Sequence, residues 1–448
     1  MAHFVIQGVY LFKTKTIYIY FPLILNNMLD IKFIRDNKDL VAAGAKKKHI
    51  EINLDELVSV DDERKKIMQS IETKRANQKV MGDNMAKMQS GQDKAAKLEE
   101  LKAIKEEIQK EEETLKGIIS KWQTLMIQVP NIPDISVPEG ESDAQNVEVK
   151  NWGEPPVFDF KPKSHIELME GLSMLDLERG TKIAGFRGYV LRGAGARLSF
   201  ALWQYGWQFF LKKGFEPFIM PSLVKRELLL GSGYLPQGEE DLYKTQDGEY
   251  LAGTAEVPAM GFWSGEVLKK ESLPMKHLAF SPCFRREAGS HGKDTKGVMR
   301  VHEFFKLEQV ILCEASHEQS VRLHEEINRN TEELMESIGI PYRTVINCSG
   351  DLGLGQVKKY DIELWVPSEG KYREISSASY FHDFQTRRLN IRYRDGEEKL
   401  RFAHSLNCTA LPTPRALIAL IENNQRADGS IKIPEVLAPL FGEKEIRA

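Results

Sequence analysis

From Leu57 to Met88, apolar or long side chains recur at alternating spacings of three and four: Leu57, Val60, Arg64, Ile67, Ile71, Lys74, Gln78, Met81, Met85 and Met88. This is a heptad seam, and a helix that carries one needs a partner helix to cover it. A second run, Leu98, Leu101, Lys105, Ile108, Glu112, Leu115, Ile119, Trp122 and Met126, follows the polar, turn-like segment Gln89-Ser90-Gly91-Gln92-Asp93. Two helices of similar length joined by so short a turn close into an antiparallel hairpin, each limb about 45 Å long at 1.5 Å per residue. The seam includes Arg64, Lys74, Gln78, Lys105 and Glu112, too polar for the core of a compact bundle. The hairpin is therefore expected to be a largely solvated, projecting arm.

Charge is uneven along this arm. Between Thr73 and Leu98, six basic residues (Lys74, Arg75, Lys79, Lys87, Lys94 and Lys97) stand against Asp83 and Asp93, a net charge of +4. One reading is a basic tip that grips a phosphate backbone. The other is a charged face that only keeps the arm in solution, the commoner use of such runs. The whole chain does not choose between them: 62 basic and 65 acidic residues leave a formal charge of −3, so a polyanion would have to be met by a local patch.

A chain of 448 residues, 42% apolar and 28% charged, has the composition of a soluble globular protein of two or three domains. Cys283, Cys313, Cys348 and Cys408 are too scattered for a disulfide framework or a paired-cysteine zinc site, so a reducing cytoplasm is expected. No stretch reaches the roughly 18 to 20 apolar residues of a membrane span, and no membrane partner is expected. Residues 1–27 are apolar and aromatic, but the run Ile17 to Leu25 is broken by Pro22 and lacks a small-residue cleavage site. Met28 reads like a fresh start, which leaves 1–27 as an extension without an assigned function.

Pro130, Pro133, Pro138, the acidic stretch Glu139 to Asp143 and Pro155-Pro156 mark a boundary. The expected organisation is an arm domain at 28–138, a linker at 139–160 and a second domain at 161–448. In the second domain, Leu198 to Lys213 reads as a helix closed by Gly214, and Phe215 to Pro221 as extended. Residues 278–287, 300–312, 343–349, 360–367 and 371–377 read as strands, and 411–424 as a late helix. The expected class is α+β, an antiparallel sheet with helices, preceded by the helical arm.

Several nucleotide and hydrolase signals are missing. There is no GxxxxGK[ST] loop, and the string Gly350-Asp351-Leu352-Gly353-Leu354-Gly355 lacks the strand-then-helix setting of a dinucleotide fingerprint. Neither GxSxG nor HExxH occurs, which removes serine hydrolases and zinc proteases.

What remains is a constellation on the expected sheet. Phe284-Arg285-Arg286-Glu287 ends one strand, a loop from Ala288 to Met299 follows, and Arg300 to Glu308 opens the next. Strand alternation puts Arg300, His302 and Phe304 on one face, with Lys306 and Glu308 continuing that register. A guanidinium fork suits a phosphate or carboxylate, and a phenyl face suits a stacked base. An exposed sheet face with ion pairs is the alternative. Further on, Glu374 and Ser376 share a strand face, and Asn407-Cys408-Thr409 leads into a helix bearing Arg415. Carboxylate and hydroxyl oxygens are ligands a magnesium ion accepts beside a substrate phosphate.

Taken in order, these segments resemble the class II aminoacyl-tRNA synthetases. Lys213-Gly214-Phe215 through Pro221 resembles motif 1, Phe284-Arg285-x-Glu287 with its return Arg300-xxx-Phe304-xxx-Glu308 resembles motif 2, and the helix of Arg415 resembles motif 3. Within that class, Thr254-Ala255-Glu256, Glu374-Ile375-Ser376-Ser377 and the N-terminal arm are similar to the seryl-tRNA synthetase family, over about residues 28–440.

The resemblance implies a ligase that activates L-serine with ATP and passes it to the 3′ end of tRNA(Ser), with tRNA(Sec) as a second candidate acceptor. It implies Arg285, Arg415 and Glu374 as catalytic residues. For ATP it implies Arg285, Arg286, Glu287, Val301, Phe304, Glu374, Ile375, Ser376, Ser377 and Arg415, with Mg2+ on Glu374 and Ser377. For serine it implies Thr254, Ala255, Glu256, Arg285, Glu308 and Thr409. For tRNA it implies Lys74, Arg75, Lys79, Lys94 and Lys97 on the arm, and Lys293 and Lys296 beside Asp294 in the motif 2 loop. Motif 1 implies a homodimer. Two departures stand out: Ala378-Ser379-Tyr380 where the family commonly has Cys-Ser-Asn, and Cys408 where it has Gly. The competing expectations are a non-catalytic tRNA-binding relative, and another class II synthetase with an anticodon domain after motif 3.

Overall fold

A computed structural model describes residues 29–86, 92–289, 292 and 294–448. The extension 1–27, Met28 and the tip residues 87–91, including Lys87 and Met88, lie outside the described residues. The chain separates into two compact units, one holding residues 29–149 and 345–359, the other residues 150–344 and 360–448. Residues 345–359, expected in the second domain, thus cluster with the smaller unit.

In the smaller unit, Asp30 caps helix α1 (Ile31–Asp36) by accepting from the Lys32 amide at 2.9 Å, and α2 (Lys38–Lys47) follows. Helices α3 (Leu54–Ala86) and α4 (Gln92–Met126) form the hairpin. Leu57 and Val60 on α3 pack with Trp122 and Met126 on α4 and with Ile34 and Val41 at the base. Toward the tip apolar burial thins, Leu98 being exposed, and polar pairs take over. Ser70 donates to Glu111 at 2.9 Å, Lys74 pairs with Glu107 at 2.7 Å, and Arg75 with Glu112 at 2.5 Å. Three of the polar seam positions are thus satisfied across the hairpin: Arg64 lies 4.8 Å over the Trp122 ring, and Lys74 and Glu112 each have a charged partner.

Two buried charges hold this unit together. The Asp61 carboxylate, fully buried, meets Arg35 at 2.8 Å, Arg64 at 2.7 Å and Lys65 at 2.8 Å. Burial alone would raise its pKa, but the hydrogen bonds from these three cations hold it below the usual range. Lys48 donates to the carbonyls of Gly353 at 3.0 Å, Leu354 at 3.1 Å and Gln356 at 2.5 Å, and burial pulls its pKa down to about 7. The glycine string is thus a structural anchor. A Cβ at Gly350 would stand 2.6 Å from the Gly140 carbonyl oxygen, so only glycine fits there.

An eight-stranded sheet lies mostly in the larger unit. Its strands are β1 (Val147–Trp152), β2 (Glu216–Ile219), β3 (Met275–Phe284), β4 (Glu303–Cys313), β5 (Tyr342–Ile346), β6 (Lys358–Val366), β7 (Lys371–Tyr380) and β8 (His404–Thr413). They lie in the order β1-β5-β6-β7-β8-β4-β3-β2. The pairs β3–β4, β4–β8 and β7–β8 are antiparallel, and β2 is parallel to β3 at the edge. Helix α5 (Ala194–Lys212) precedes β2 and closes at Gly214, whose φ of +82° is the left-handed cap that glycine adopts freely. Two boundaries differ from expectation. Asn407, Cys408 and Thr409 lie inside β8, and the late helix starts only at Arg415; β4 starts at Glu303, so Arg300 and His302 precede it.

Helix α6 (Glu256–Gly261) ends a loop above the β3–β4 ladder, α7 (His317–Ile338) covers one sheet face, and α8 (Arg415–Asn423) follows β8. Gln309, Cys408 and Ser376 face α7: the Gln309 side chain donates to Thr331 at 3.0 Å, Thr331 meets the Cys408 sulfur at 3.4 Å, and Ser376 meets it at 3.5 Å. Alternation then sends Phe304, Lys306, Glu308 and Thr409 to the other face.

Replacing Asp61 with asparagine leaves Arg35, Arg64 and Lys65 without their shared acceptor charge. The variant is expected to lose about 3 kcal/mol of stability, read as a fall in the thermal unfolding midpoint of the helical signal. An unchanged midpoint would show that the three cations find equal partners elsewhere.

Candidate active site

On the open face of the sheet, the register of β4 assembles a polar pocket. Glu308 stands opposite Ala279 on β3 and Thr409 on β8, and Lys306 lies two residues before it on the same face. Thr254, just before α6, reaches in from above. All four are buried. The Lys306 ammonium pairs with Glu308 and donates to the hydroxyls of Thr254 at 2.7 Å and Thr409 at 3.3 Å. Thr254 in turn donates to Glu308 at 3.2 Å.

Glu256, the first residue of α6, sits beside this cluster and accepts from the Gln385 amide at 2.5 Å. Gln385 is itself fixed by the Ser405 hydroxyl, which donates to it at 2.7 Å. Burial, helped by the nearby charge of Glu308, pushes the Glu256 carboxyl up to about 7. The pocket therefore holds one carboxylate neutralised by a lysine and a second near its midpoint at neutral pH. Such a site accepts hydrogen bonds from a small ammonium or hydroxyl compound.

Next to it lies a cationic strip. Arg285 follows the last residue of β3; its amide donates to the His302 carbonyl at 2.9 Å and its Nε to the Gly253 carbonyl at 3.1 Å. These bonds hold the guanidinium 5.3 Å over the Phe304 ring. Glu287, at a φ of +56°, turns out of strand geometry and pairs with Arg300 at 2.7 Å. Arg415, first in α8, donates to the Met299 carbonyl at 3.0 Å and the Glu374 carbonyl at 3.1 Å, with the Glu374 carboxylate 4.0 Å away. Burial lowers the Arg415 pKa, and the charges of Glu374, Arg285, Arg300 and Glu287 all act on it. Asp294 in the connecting loop pairs with Arg373 at 2.5 Å. An aromatic face under one guanidinium, with a second guanidinium and carboxylates on the same strip, is suited to a nucleotide whose phosphates run past it.

The residues expected from the sequence lie as follows. Thr254, Glu256, Glu308 and Thr409 meet in the pocket, and Arg285, Glu287, Phe304, Glu374 and Arg415 form the strip. Ala255, Val301 and Ile375 are buried. Arg286 is exposed, and its amide is anchored to the Asp241 carbonyl at 2.8 Å. Ser376 was expected at the nucleotide, but its hydroxyl donates to the Thr409 carbonyl at 2.6 Å on the α7 side; Ser377 donates to Asp361. On the arm, Lys74 and Arg75 are engaged with glutamates, Lys79 is exposed, and Lys94 and Lys97 are half-buried. Lys296 is exposed, whereas Lys293 lies outside the described residues.

The two departures fall on the covered face. Ala378, opposite Cys408 in the ladder, offers its carbonyl to His324 of α7 at 2.9 Å, and Tyr380 packs edge-on against His324. Burial pushes the Cys408 thiol up to about 12. No sequence motif gives Lys306 or Gln385 a role. Lys306 was detectable through its two-residue spacing from Glu308, whereas Gln385 meets Glu256 across 129 residues and carries no local signal.

Residues 243–424 match the tRNA synthetase class II core domain (G, H, P, S and T), and residues 28–133 match the seryl-tRNA synthetase N-terminal domain. The serine--tRNA ligase of Deinococcus radiodurans is 41% identical over 429 residues, covering 94% of this chain and 99% of its own. That of Petrotoga mobilis is 43% identical over 426 residues, covering 94% and 100%. Among solved structures, the seryl-tRNA synthetase from Pyrococcus horikoshii complexed with ATP superposes with a TM-score of 0.85 at 37% identity, covering 94% of this chain and 99% of that one. The cytoplasmic serine-tRNA ligase from Naegleria fowleri in complex with AMP gives a TM-score of 0.82 at 32% identity, again over 94% and 99%.

The raised Glu256 pKa has a consequence for stability. Between the ordinary glutamate value of 4.5 and about 7, the folded chain holds a proton that the unfolded chain releases, so this group costs stability as pH rises through that window. Replacing Glu256 with glutamine is expected to remove up to about 3 kcal/mol of that pH-dependent loss. Melting curves between pH 5 and 8 check this; parallel profiles for the two proteins would refute it.

Proposed function

The chain belongs to the class II seryl-tRNA synthetase family, and we propose that it works as a serine--tRNA ligase through one sheet face, joining serine to ATP and then to tRNA. The observation that carries this reading is the adjacency of the Thr254–Lys306–Glu308–Thr409 pocket to Arg285, which lies over Phe304. A small hydroxylated amino acid and a purine nucleotide then sit side by side, with a guanidinium between their two anionic groups.

In the first step a carboxylate oxygen of serine attacks the α-phosphorus of ATP and pyrophosphate leaves. No protein nucleophile is required; positioning and charge neutralisation do the work. Arg285 bridges the serine carboxylate and the α-phosphate. Phe304 stacks on adenine, with Val301 behind it and Glu287 at its edge. Arg415 holds the far phosphates. Glu256 receives the ammonium of serine, with Thr254 bracing Glu308 beside it, and Glu308 and Thr409 receive its hydroxyl. In the second step the 3′ hydroxyl oxygen of the terminal adenosine attacks the serine carbonyl carbon and AMP leaves.

Glu374 and Ser377 supply the hard oxygen ligands that suit Mg2+, and Asp361 lies directly behind Ser377. Both would hold the ion against the phosphates, where it would neutralise charge on the departing pyrophosphate. The exposed apolar side chains Phe200, Leu211 and Ile219, on α5 and the edge strand β2, support a homodimer with this face covered. The hairpin, with Lys79, Lys94 and Lys97, is the proposed grip on the tRNA backbone. In this reading Lys74 and Arg75 chiefly brace the two limbs. All four cysteines are free and buried, in keeping with a reducing cytoplasm. Among the described residues no helix is long and apolar enough to cross a membrane.

Serine-dependent exchange of pyrophosphate into ATP tests the reading, with alanine and threonine as controls; no exchange above background sinks it. Arg285→Ala is expected to lower exchange at least about 1000-fold while leaving tRNA binding intact. Lys79→Glu with Lys97→Glu is expected to leave exchange unchanged and raise the KM for tRNA about 10-fold. Aminoacylation of tRNA(Ser) and tRNA(Sec) side by side decides whether the second is a substrate.

A further inference from the structure

We propose that Lys306 is a positioning residue that fixes the direction of the hydrogen bonds among Thr254, Thr409 and Glu308, so that this part of the pocket shows the side chain of an incoming amino acid one donor and one acceptor. This rests on reading the pocket as the serine site, and names what makes that site selective for a hydroxyl. An ammonium has three hydrogens and no lone pair, so it can only donate. Lys306 is 5% exposed and its partners Glu308, Thr254 and Thr409 are 2%, 1% and 8% exposed, so these groups satisfy one another before they meet solvent.

Its three hydrogens go to the Glu308 carboxylate and to the two threonine oxygens. Both hydroxyls must therefore accept from Lys306, and each keeps a single hydrogen to give. Thr254 gives its hydrogen to Glu308 Oε2 at 3.2 Å and also accepts the Glu256 amide at 3.4 Å, so it is fully committed. The Thr409 hydrogen meets no acceptor among the described residues, and Glu308 Oε1 meets no donor there. One unused hydrogen and one unused lone pair on facing residues of β4 and β8 are the complement of a hydroxyl group.

An apolar methyl in that place leaves both unpaired, which is how a site built for a hydroxyl rejects its deoxy analogue. Without Lys306, Thr409 is free to turn and donate to its ladder neighbour Glu308. The pocket then satisfies itself, and the preference for a hydroxyl falls.

The test is pyrophosphate exchange by the full-length chain with serine and with alanine. Lys306→Met is expected to lower the serine-to-alanine ratio of kcat/KM about 100-fold while the KM for ATP shifts less than about threefold. If Lys306→Met fails to fold because Glu308 is stranded, Glu308→Gln is compared with Lys306→Met combined with Glu308→Gln, where no stranded carboxylate remains. The double variant is then expected to have a ratio at least about 10-fold lower than Glu308→Gln alone. An unchanged ratio in either comparison overturns the assignment of Lys306. Absence of serine exchange in the unmodified chain would instead remove the proposed function itself.

Discussion

Strand β4 is hydrogen-bonded on both sides, and its two registers place Glu308, Thr409 and Phe304, about which the candidate site is built. Pairing with β8 sets Glu308 opposite Thr409; pairing with β3 sets Phe304 opposite Cys283, one residue short of the turn that carries Arg285. A slip of one residue in either ladder would send Lys306, Glu308 and Phe304 to the face covered by α7. The ladder is secured from that covered face. Gln309 donates to the carbonyl of Ile327 and to Thr331, and Ser376 donates to the Thr409 carbonyl. The closed side of the sheet thus fixes the geometry of the open side.

Three charge pairs brace the candidate site, while the guanidinium groups facing the substrates retain capacity. Glu308 is neutralised by Lys306, Glu287 by Arg300 and Asp294 by Arg373. Arg285 and Arg415 spend donors on backbone carbonyls and keep the rest of their guanidinium forks available. A fork held by the main chain is already oriented before an anion arrives, which lowers the ordering cost of binding. The smaller unit uses the same chemistry for a different purpose. Asp61 and Lys48 are fully committed and serve only to hold helices and the 345–359 segment together.

The arm shows how a charge count misleads without geometry. The net positive stretch between Thr73 and Leu98 is real, but Lys74 and Arg75 pair with glutamates of the opposite limb, while Lys79 is exposed. Exposure of a lysine on a helix depends on where the partner limb lies, which a count of residues does not contain. The glycine string Gly350 to Gly355 was a similar case: no nucleotide motif, but a close approach of backbone to Gly140 and a set of carbonyls for Lys48.

Much of the architecture was legible because it is written in local periodicity. The seam of threes and fours implied the hairpin, strand alternation put Phe304, Lys306 and Glu308 on one face, and the ordered motifs pointed to the family. Three features were not legible, for one reason. The choice between Ser376 and Ser377, the bond from Gln385 to Glu256, and the near-neutral pKa of that carboxyl all depend on groups far apart in sequence. Periodicity determines which side of an element a residue occupies. Only the packed sheet, by excluding water and bringing distant strands into register, decides which charges and hydroxyls must satisfy one another.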